Sequence, residues 1–415
     1  MSSQATLLPD PEHRGQLHER HPFPTFVQEC RQTLTLALPL IAGQVGQMLM
    51  GIADTVMLGR VGVLELGAST FANTLTSIPY VLGIGLLTSV SVLVSNARGA
   101  ERPEDAQDVL RHGTWLALGY GFLVVLLFAG ALPFLQFLGQ PPDVTERAHS
   151  YLLIVTVSLL PALMSVAWKN HADALNQPWT PFWILTGGVL LNVGLNWVLI
   201  WGHWGFPALG LEGAAIATLI ARTAVAAGVL FWLVRSPATR EWSPTRWLAR
   251  CRVKVFADLL RIGFPASLHL LTEVGAFAAA ALLVGTLGKV ALAAHQVALT
   301  CAATAFMVPL GVSMAMTVRI GELAGAGERA RMHRVIIGGW LYAVAFMSLS
   351  ALGFLLAGKW VAQQFVGDVD VVALAAQLLV IAGIFQLVDG LQVVSVGALR
   401  GVGDVRVPAW LPTSH

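Results

Sequence analysis

Apolar stretches long enough to cross a membrane recur along this chain, parted by short segments where charge, proline and glycine collect. Ten of them lie near 34–58, 66–94, 111–138, 147–168, 179–201, 209–234, 259–284, 291–318, 335–358 and 372–398. Each reaches the roughly 20 residues that a helix needs to span a ~30 Å hydrocarbon core. Pro39, Pro79, Pro161, Pro265 and Pro309 fall within or near these stretches. Membrane helices tolerate such prolines and often bend at them. The pattern predicts an all-α polytopic membrane protein.

The basic residues test that map independently. With the N terminus in the cytoplasm, the inner loops receive Arg98, Arg102, Arg111, Lys169, Arg235, Arg240, Arg246, Arg250, Arg252, Lys254, Arg319, Arg329, Arg331, Arg334, Arg400 and Arg406. The opposite side receives only Arg60, Arg147, Lys289 and Lys359. The positive-inside rule is met loop after loop for ten spans. Residues 1–32 read as a polar, disordered or interfacial cytoplasmic tail. They are not a cleavable signal peptide, because no short apolar stretch with a small-residue cleavage site follows promptly.

The segment 235–258, RSPATREWSPTRWLARCRVKVFAD, is the longest polar connection. Its tryptophans and basic residues suit an amphipathic linker at the cytoplasmic interface. Around it the chain repeats itself. LALPLIAGQVGQ at 36–47 aligns with IGFPASLHLLTE at 262–273, which pairs Pro39 with Pro265. LGASTFANTLTSIPYVLGIGLLTSV at 66–90 parallels LAAHQVALTCAATAFMVPLGVSMAM at 292–316, and Gly99 and Gly325 keep the same offset. Paired segments lie an even number of spans apart, so a parallel repeat about an axis along the membrane normal is expected. The expected division is an N-lobe of six helices at 33–234, the linker at 235–258, and a C-lobe of four helices at 259–415. A repeat of six predicts twelve helices, so the second lobe reads as truncated by its last two.

Composition supports the membrane reading and narrows function. The 415 residues are 56% hydrophobic and 12% charged, about half the charge of an ordinary soluble domain. A net charge of +2 gives no nucleic-acid footprint. Cys30, Cys251 and Cys301 are scattered and form neither a disulfide framework nor a CxxC metal site. No GxxxxGK[ST], HExxH or GxSxG motif supports ATP-driven transport by this chain alone or hydrolase chemistry, so no enzyme is expected.

Four charges fall inside the spans: Asp54, Arg222, Glu273 and Asp389. Such groups are costly in hydrocarbon and need water, a partner or a proton. A carboxylate there can exchange a proton, or hold Na⁺ with help from amide and hydroxyl oxygens, and either role suits coupling to an ion gradient. Gln44 and Gln47 share one face of the first helix, and Asn192 and Asn196 share one face of the fifth. His269 stands one turn before Glu273; without ligand companions it reads as a pore or packing residue, as does His295. Arg222 reads as a bundle-pairing residue.

The stretches PLIAGQVGQMLMGIADTVMLGRVG, AAHQVALTCAATAFMVPLGVSMAMTVRIG, NVGLNWVLIWG and VDGLQVVSVGALRGVGD, in this order and spacing over roughly 30–406, resemble the multidrug and toxic compound extrusion (MATE) transporters, and among them the bacterial NorM-like branch. The resemblance implies twelve helices in two six-helix lobes around a central cavity. It implies export of organic cations or amphiphilic drugs against inward H⁺ or Na⁺ flow, with no cofactor beyond the coupling ion. It also implies a monomer in the bacterial inner membrane, surrounded by lipid and handling small molecules.

By the same resemblance, Asp54 matches the helix-one carboxylate of the N-lobe, and Asn192 and Asn196 the polar pair facing it. Glu273 and Asp389 match the two acids of the C-lobe cation site, where Na⁺ is a candidate ligand. Phe385, one turn before Asp389, stands where relatives can carry Tyr; losing that hydroxyl weakens the case for Na⁺ over H⁺. Two alternatives stay open here: a flippase of a lipid-linked substrate, which calls for a more basic cavity, and an inactive truncated fragment.

Overall fold

In a computed structural model, which describes residues 24–404, ten helices are long and apolar enough to cross a membrane. They are α1 (Phe26–Gly59), α2 (Val63–Gly99), α3 (Pro103–Ala131), α4 (Pro142–Ala174), α5 (Trp179–Trp201) and α6 (Leu211–Arg235). After the single turn α7 (Pro237–Arg240) come α8 (Val253–Gly285), α9 (Lys289–Gly325), α10 (Arg329–Gln363) and α11 (Val369–Gly401). All ten expected spans are present. No strand occurs among the described residues.

The ends differ from the hydropathy pattern, for local chemical reasons. The tail expected through residue 32 already becomes α1 at Phe26. Thr25 and Gln28 form a reciprocal cap there, Thr25 N–H to Gln28 Oε1 at 2.7 Å and Gln28 N–H to Thr25 Oγ1 at 3.3 Å. One turn on, Glu29 is fully buried between Arg319 and Arg331. Residues 1–23 of that tail lie outside the described residues. The third span begins at Pro103 rather than 111, since proline at the first helical position and Glu104 and Asp105 in the first turn favour a helix start. It stops as α-helix at Ala131, and the expected remainder, Leu132–Leu138, winds as 3-10 helix with Pro133 in its first turn. Residues 253–258, expected in the linker, form the first turns of α8. The last residues of the expected C-lobe, 405–415, lie outside the described residues.

The linker is fastened to α3. Gln107 donates to the Glu241 carbonyl at 2.7 Å, and Trp115 Nε1 to the Trp247 carbonyl at 3.2 Å. Asp108 pairs with Arg252 at 2.5 Å and with Arg111 at 2.8 Å. His112 Nε2 accepts from the Arg252 backbone N–H at 2.8 Å. This end of the bundle is called the linker side below, and the other the distal side.

The internal repeat is visible as the same contact made twice. Gly85 of α2 lies so close to α8 that a Cβ there would fall 2.7 Å from the Ser267 nitrogen. Gly311 of α9 lies so close to α1 that a Cβ would fall 2.9 Å from the Ile41 nitrogen. Shifting Gly85 and Ile41 by the repeat offset gives Gly311 and Ser267. Likewise Gly99 abuts Glu322 of α9 and Gly325 abuts Asn96 of α2, again reciprocal positions. Small residues let membrane helices approach this closely. Two reciprocal crossings with one offset are what an axis along the membrane normal produces.

The same symmetry exchanges the first helix of each repeat. α1 packs on α9 and α10, and α8 packs on α2 and α3. Leu36, Ala37 and Leu40 of α1 join the core of α9, α10 and α11. These contacts occupy the linker-side halves of the helices. On the distal side, α1 turns to the N-lobe, where Leu58 joins Ala68, Leu152 and Leu211. The buried residues of α8, Leu259, Ile262, Gly263, Ala266 and Ser267, all lie in its linker-side half.

Candidate functional site

The distal half of α1 carries the N-lobe acid. Asp54 is half-buried, and its Oδ1 accepts from Asn196 Nδ2 of α5 at 2.6 Å. The same amide nitrogen donates to Asn192 Oδ1 at 3.3 Å, and Asn192 Nδ2 to Thr218 Oγ1 of α6 at 3.3 Å. The spacing of Asn192 and Asn196 places both amides on one helix face, and both are fully buried. Because the Asn196 amide gives its N–H to the carboxylate, its oxygen points elsewhere, and that Oδ1 is buried with no partner. A sealed acceptor without a donor costs roughly 1–3 kcal/mol.

One turn beyond Thr218, Arg222 reaches into the same lobe. Its Nη1 donates to Ser158 Oγ of α4 at 2.7 Å, and its guanidinium carbon lies 5.6 Å from the Tyr80 ring centroid of α2. Asp54 and Tyr151 are both within its electrostatic reach. The bundle-pairing role expected of Arg222 therefore holds through Ser158 and Tyr80, not through an acid. Gln44 is half-buried and Gln47 exposed, and no hydrogen bond joins either to Asp54 among the described residues. They share a face of α1, but the chain of amides begins at Asp54.

In the C-lobe, Glu273 of α8 and Asp389 of α11 are half-buried and act on each other electrostatically. Arg400, near the linker-side end of α11, acts on both Glu273 and His269. His269, one turn before Glu273, has a buried Nδ1 without a hydrogen-bond partner. Phe385 is half-buried one turn before Asp389. His269 and Glu273 thus stand one turn apart on α8, and Phe385 and Asp389 one turn apart on α11, with the Asp389 carboxylate within electrostatic reach of Glu273.

The two acid sites are not symmetry mates. The repeat offset that pairs Ile41 with Ser267 pairs Glu273 with Gln47 and Asp54 with Ala280. Asp54 lies seven residues beyond Gln47, two turns or about 10 Å further toward the distal side.

Sequence reasoning missed several participants. Ser158, Thr218 and Tyr80 are ordinary residues of apolar helices, and only the fold aims them at Arg222 and the asparagines. Gln386, one turn before Asp389, was the legible signal passed over; it is buried, and its Oε1 accepts from Ser350 at 3.4 Å. Arg400, expected in an inner loop, lies in the last turn of α11. No group of three or more metal-ligating side chains occurs among the described residues.

Comparison with known proteins places this geometry in context. The family model MatE matches residues 39–198 and 265–412, two segments that open on the paired prolines Pro39 and Pro265. A probable multidrug resistance protein NorM from Agrobacterium fabrum is 36% identical over 399 residues, spanning 92% of this chain and 83% of that protein. The protein of the same name from Bradyrhizobium diazoefficiens is 34% identical over 406 residues, spanning 97% and 87%. Among solved structures, the Vibrio cholerae MATE transporter VcmN in the bent form superposes with a TM-score of 0.83 at 24% identity, covering 92% of this chain and 86% of that one. The eukaryotic MATE transporter AtDTX14 superposes with a TM-score of 0.83 at 19% identity, covering 93% and 85%.

Proposed function

The chain belongs to the MatE family of membrane transporters, and from that premise we propose that it exports organic cations or amphiphilic drugs in exchange for H⁺ or Na⁺ by alternating access. The observation that carries the proposal is the Asp54–Asn196 contact at 2.6 Å, which holds a half-buried carboxylate on a buried amide. An ionised Asp54, held by the Asn196 amide N–H, offers a cationic drug a carboxylate acceptor in a low-dielectric setting. A protonated Asp54 offers a neutral group with no net attraction for a cation. The two states therefore favour different occupants, which is the minimum an exchanger requires.

Glu273 and Asp389 extend the same logic to the C-lobe. Two carboxylates within electrostatic reach repel, and a proton, Na⁺ or a cationic substrate relieves the repulsion. Arg400 on the linker side of this pair disfavours passage of a cation toward that side. The lobes meet along their linker-side halves, at the crossings of Gly85 with Ser267 and Gly99 with Glu322. That arrangement supports an open distal side from which drug leaves and the coupling ion enters. With the basic loops facing the cytoplasm, the distal side is the outer face of a bacterial inner membrane, and the protein works as a monomer. Pro39 lies within α1, and a proline inside a helix is a place where α1 can bend when Asp54 loses its charge.

An anionic lipid-linked substrate is a poorer fit, since Asp54, Glu273 and Asp389 outnumber Arg222 and Arg400 in these sites. Asp54→Asn, Glu273→Gln and Asp389→Asn are each expected to abolish ethidium efflux from cells at unchanged membrane abundance. Near-normal efflux in all three would remove the acids from the mechanism.

A further inference from the structure

The polar connection between the lobes carries a surface that the exchange scheme does not use. From Trp242 to Ala257 it holds Arg246, Arg250, Arg252 and Lys254 and no acid. Of these four cations only Arg252 closes an ion pair among the described residues, to Asp108 of α3. Arg246, Arg250 and Lys254 are exposed. In the same stretch two large apolar side chains face outward, Leu248 at 85% exposure and Val253 at 79%. Bare apolar groups between unpaired cations are costly in water and suit the boundary between acyl chains and anionic headgroups.

The contacts of this stretch with α3 put it at that boundary. The Trp247 carbonyl accepts from Trp115 Nε1 of α3 at 3.2 Å. Trp115 heads an exposed stripe of α3 that continues through Phe122, Leu123, Leu126 and Leu127. Their spacings of three, four and seven residues belong to one helix face. An apolar face left bare on a spanning helix is covered by lipid, and tryptophan marks where hydrocarbon gives way to headgroups. Beside Trp115, residues 246–249 form a turn, closed by the Ala249 N–H to the Arg246 carbonyl at 3.4 Å. Arg246, Trp247, Leu248 and Ala249 of this turn line a pocket of about 400 Å³. Its position is fixed, because Trp247 packs on the N-lobe core and the flanking Glu241 and Arg252 backbones are bonded to α3.

We propose that this turn is a docking site for an anionic phospholipid of the linker-side leaflet. An acyl chain lies along the α3 stripe from Leu127 to Trp115. The phosphate goes to Arg246 and Arg250, whose guanidinium N–H groups match its oxygens as a planar fork. Leu248 enters the acyl region beside it. Charge complementarity chooses the lipid. A headgroup whose phosphate is its only charge is attracted, whereas a choline headgroup brings a second cation against the arginines. A free phosphate ion lacks the chain that would cover Leu248 and the stripe.

Energy transfer from a fluorophore on Cys251 tests this, with the purified full chain in phosphatidylcholine nanodiscs. Cys251 is the exposed cysteine, Cys30 being half-buried and Cys301 buried. The acceptor is a small fraction of acyl-labelled phosphatidylglycerol or, in parallel, of acyl-labelled phosphatidylcholine. The phosphatidylglycerol probe should be enriched beside Cys251 about tenfold or more over the other, since each basic residue near anionic lipid contributes about fivefold. Arg246→Gln combined with Arg250→Gln should erase that enrichment, and both side chains are exposed, so the bundle stays folded. Leu248→Asn should lower it several-fold. Arg329→Gln removes an exposed cation at the linker-side start of α10 and should leave the enrichment unchanged. Equal transfer to the two probes would overturn the site. So would a loss in Arg329→Gln as large as in the double variant, which would mean a diffuse attraction to every basic loop. Displacement of the lipid probe by inorganic phosphate would overturn it too, since the turn would then hold an ion and not a lipid.

Discussion

The two lobes share a scaffold and differ in how they hold their acids. Reciprocal crossings at Gly85 with Ser267 and Gly311 with Ile41 fix α1 and α8 in equivalent places. Yet Asp54 sits two turns further along its helix than Glu273 does, against the asparagine face of α5 with α6 behind it. Among the described residues no amide hydrogen-bonds Glu273; the charges within its reach are a second acid, Asp389, and Arg400. The difference teaches that a repeat dictates helix positions and not chemistry. One lobe answers a half-buried acid with hydrogen bonds, and the other sets it between a like charge and an arginine.

The comparison can be broken at its strongest point. Asn196→Ala removes the donor from Asp54 and should lower efflux by roughly tenfold to a hundredfold, since hydrogen bonds to charged groups contribute about 1.5–3 kcal/mol. Drug efflux from cells, normalised to membrane abundance, measures it. An effect no larger than twofold would mean that Asp54 needs no amide and that the lobes work alike. A smaller change sharpens the same contrast. Thr218→Val removes the end of the amide chain, a neutral contact at 3.3 Å, and should cost efflux only about two- to fivefold. A loss as large as that of Asn196→Ala would make the whole chain, rather than its first link, the functional unit.

Much of this was legible before any fold. Ten apolar segments and the loop charges carried the span count, and Asp54, Glu273 and Asp389 stood out because charge is expensive among such neighbours. The i, i+4 spacing of Asn192 and Asn196 pointed to a shared face, and that face does meet Asp54. What hydropathy could not convey was which apolar faces meet. Nothing in LALPLIAG or IGFPASL says that each packs on the other half of the molecule, because lipid and protein neighbours favour the same residues. The buried Glu29 reads as tail in the sequence for the opposite reason: its partners Arg319 and Arg331 are 290 and 302 residues away.

The claim at the centre of the account is that the charge on Asp54 couples the ion to the drug. Drug efflux from proteoliposomes under imposed pH gradients, for the unaltered protein and for Asp54→Asn, tests it most directly. The amide imitates the protonated carboxyl, so the variant should reconstitute as a folded protein whose transport no longer responds to the gradient. Transport by Asp54→Asn with the same pH dependence as the unaltered protein would contradict the account.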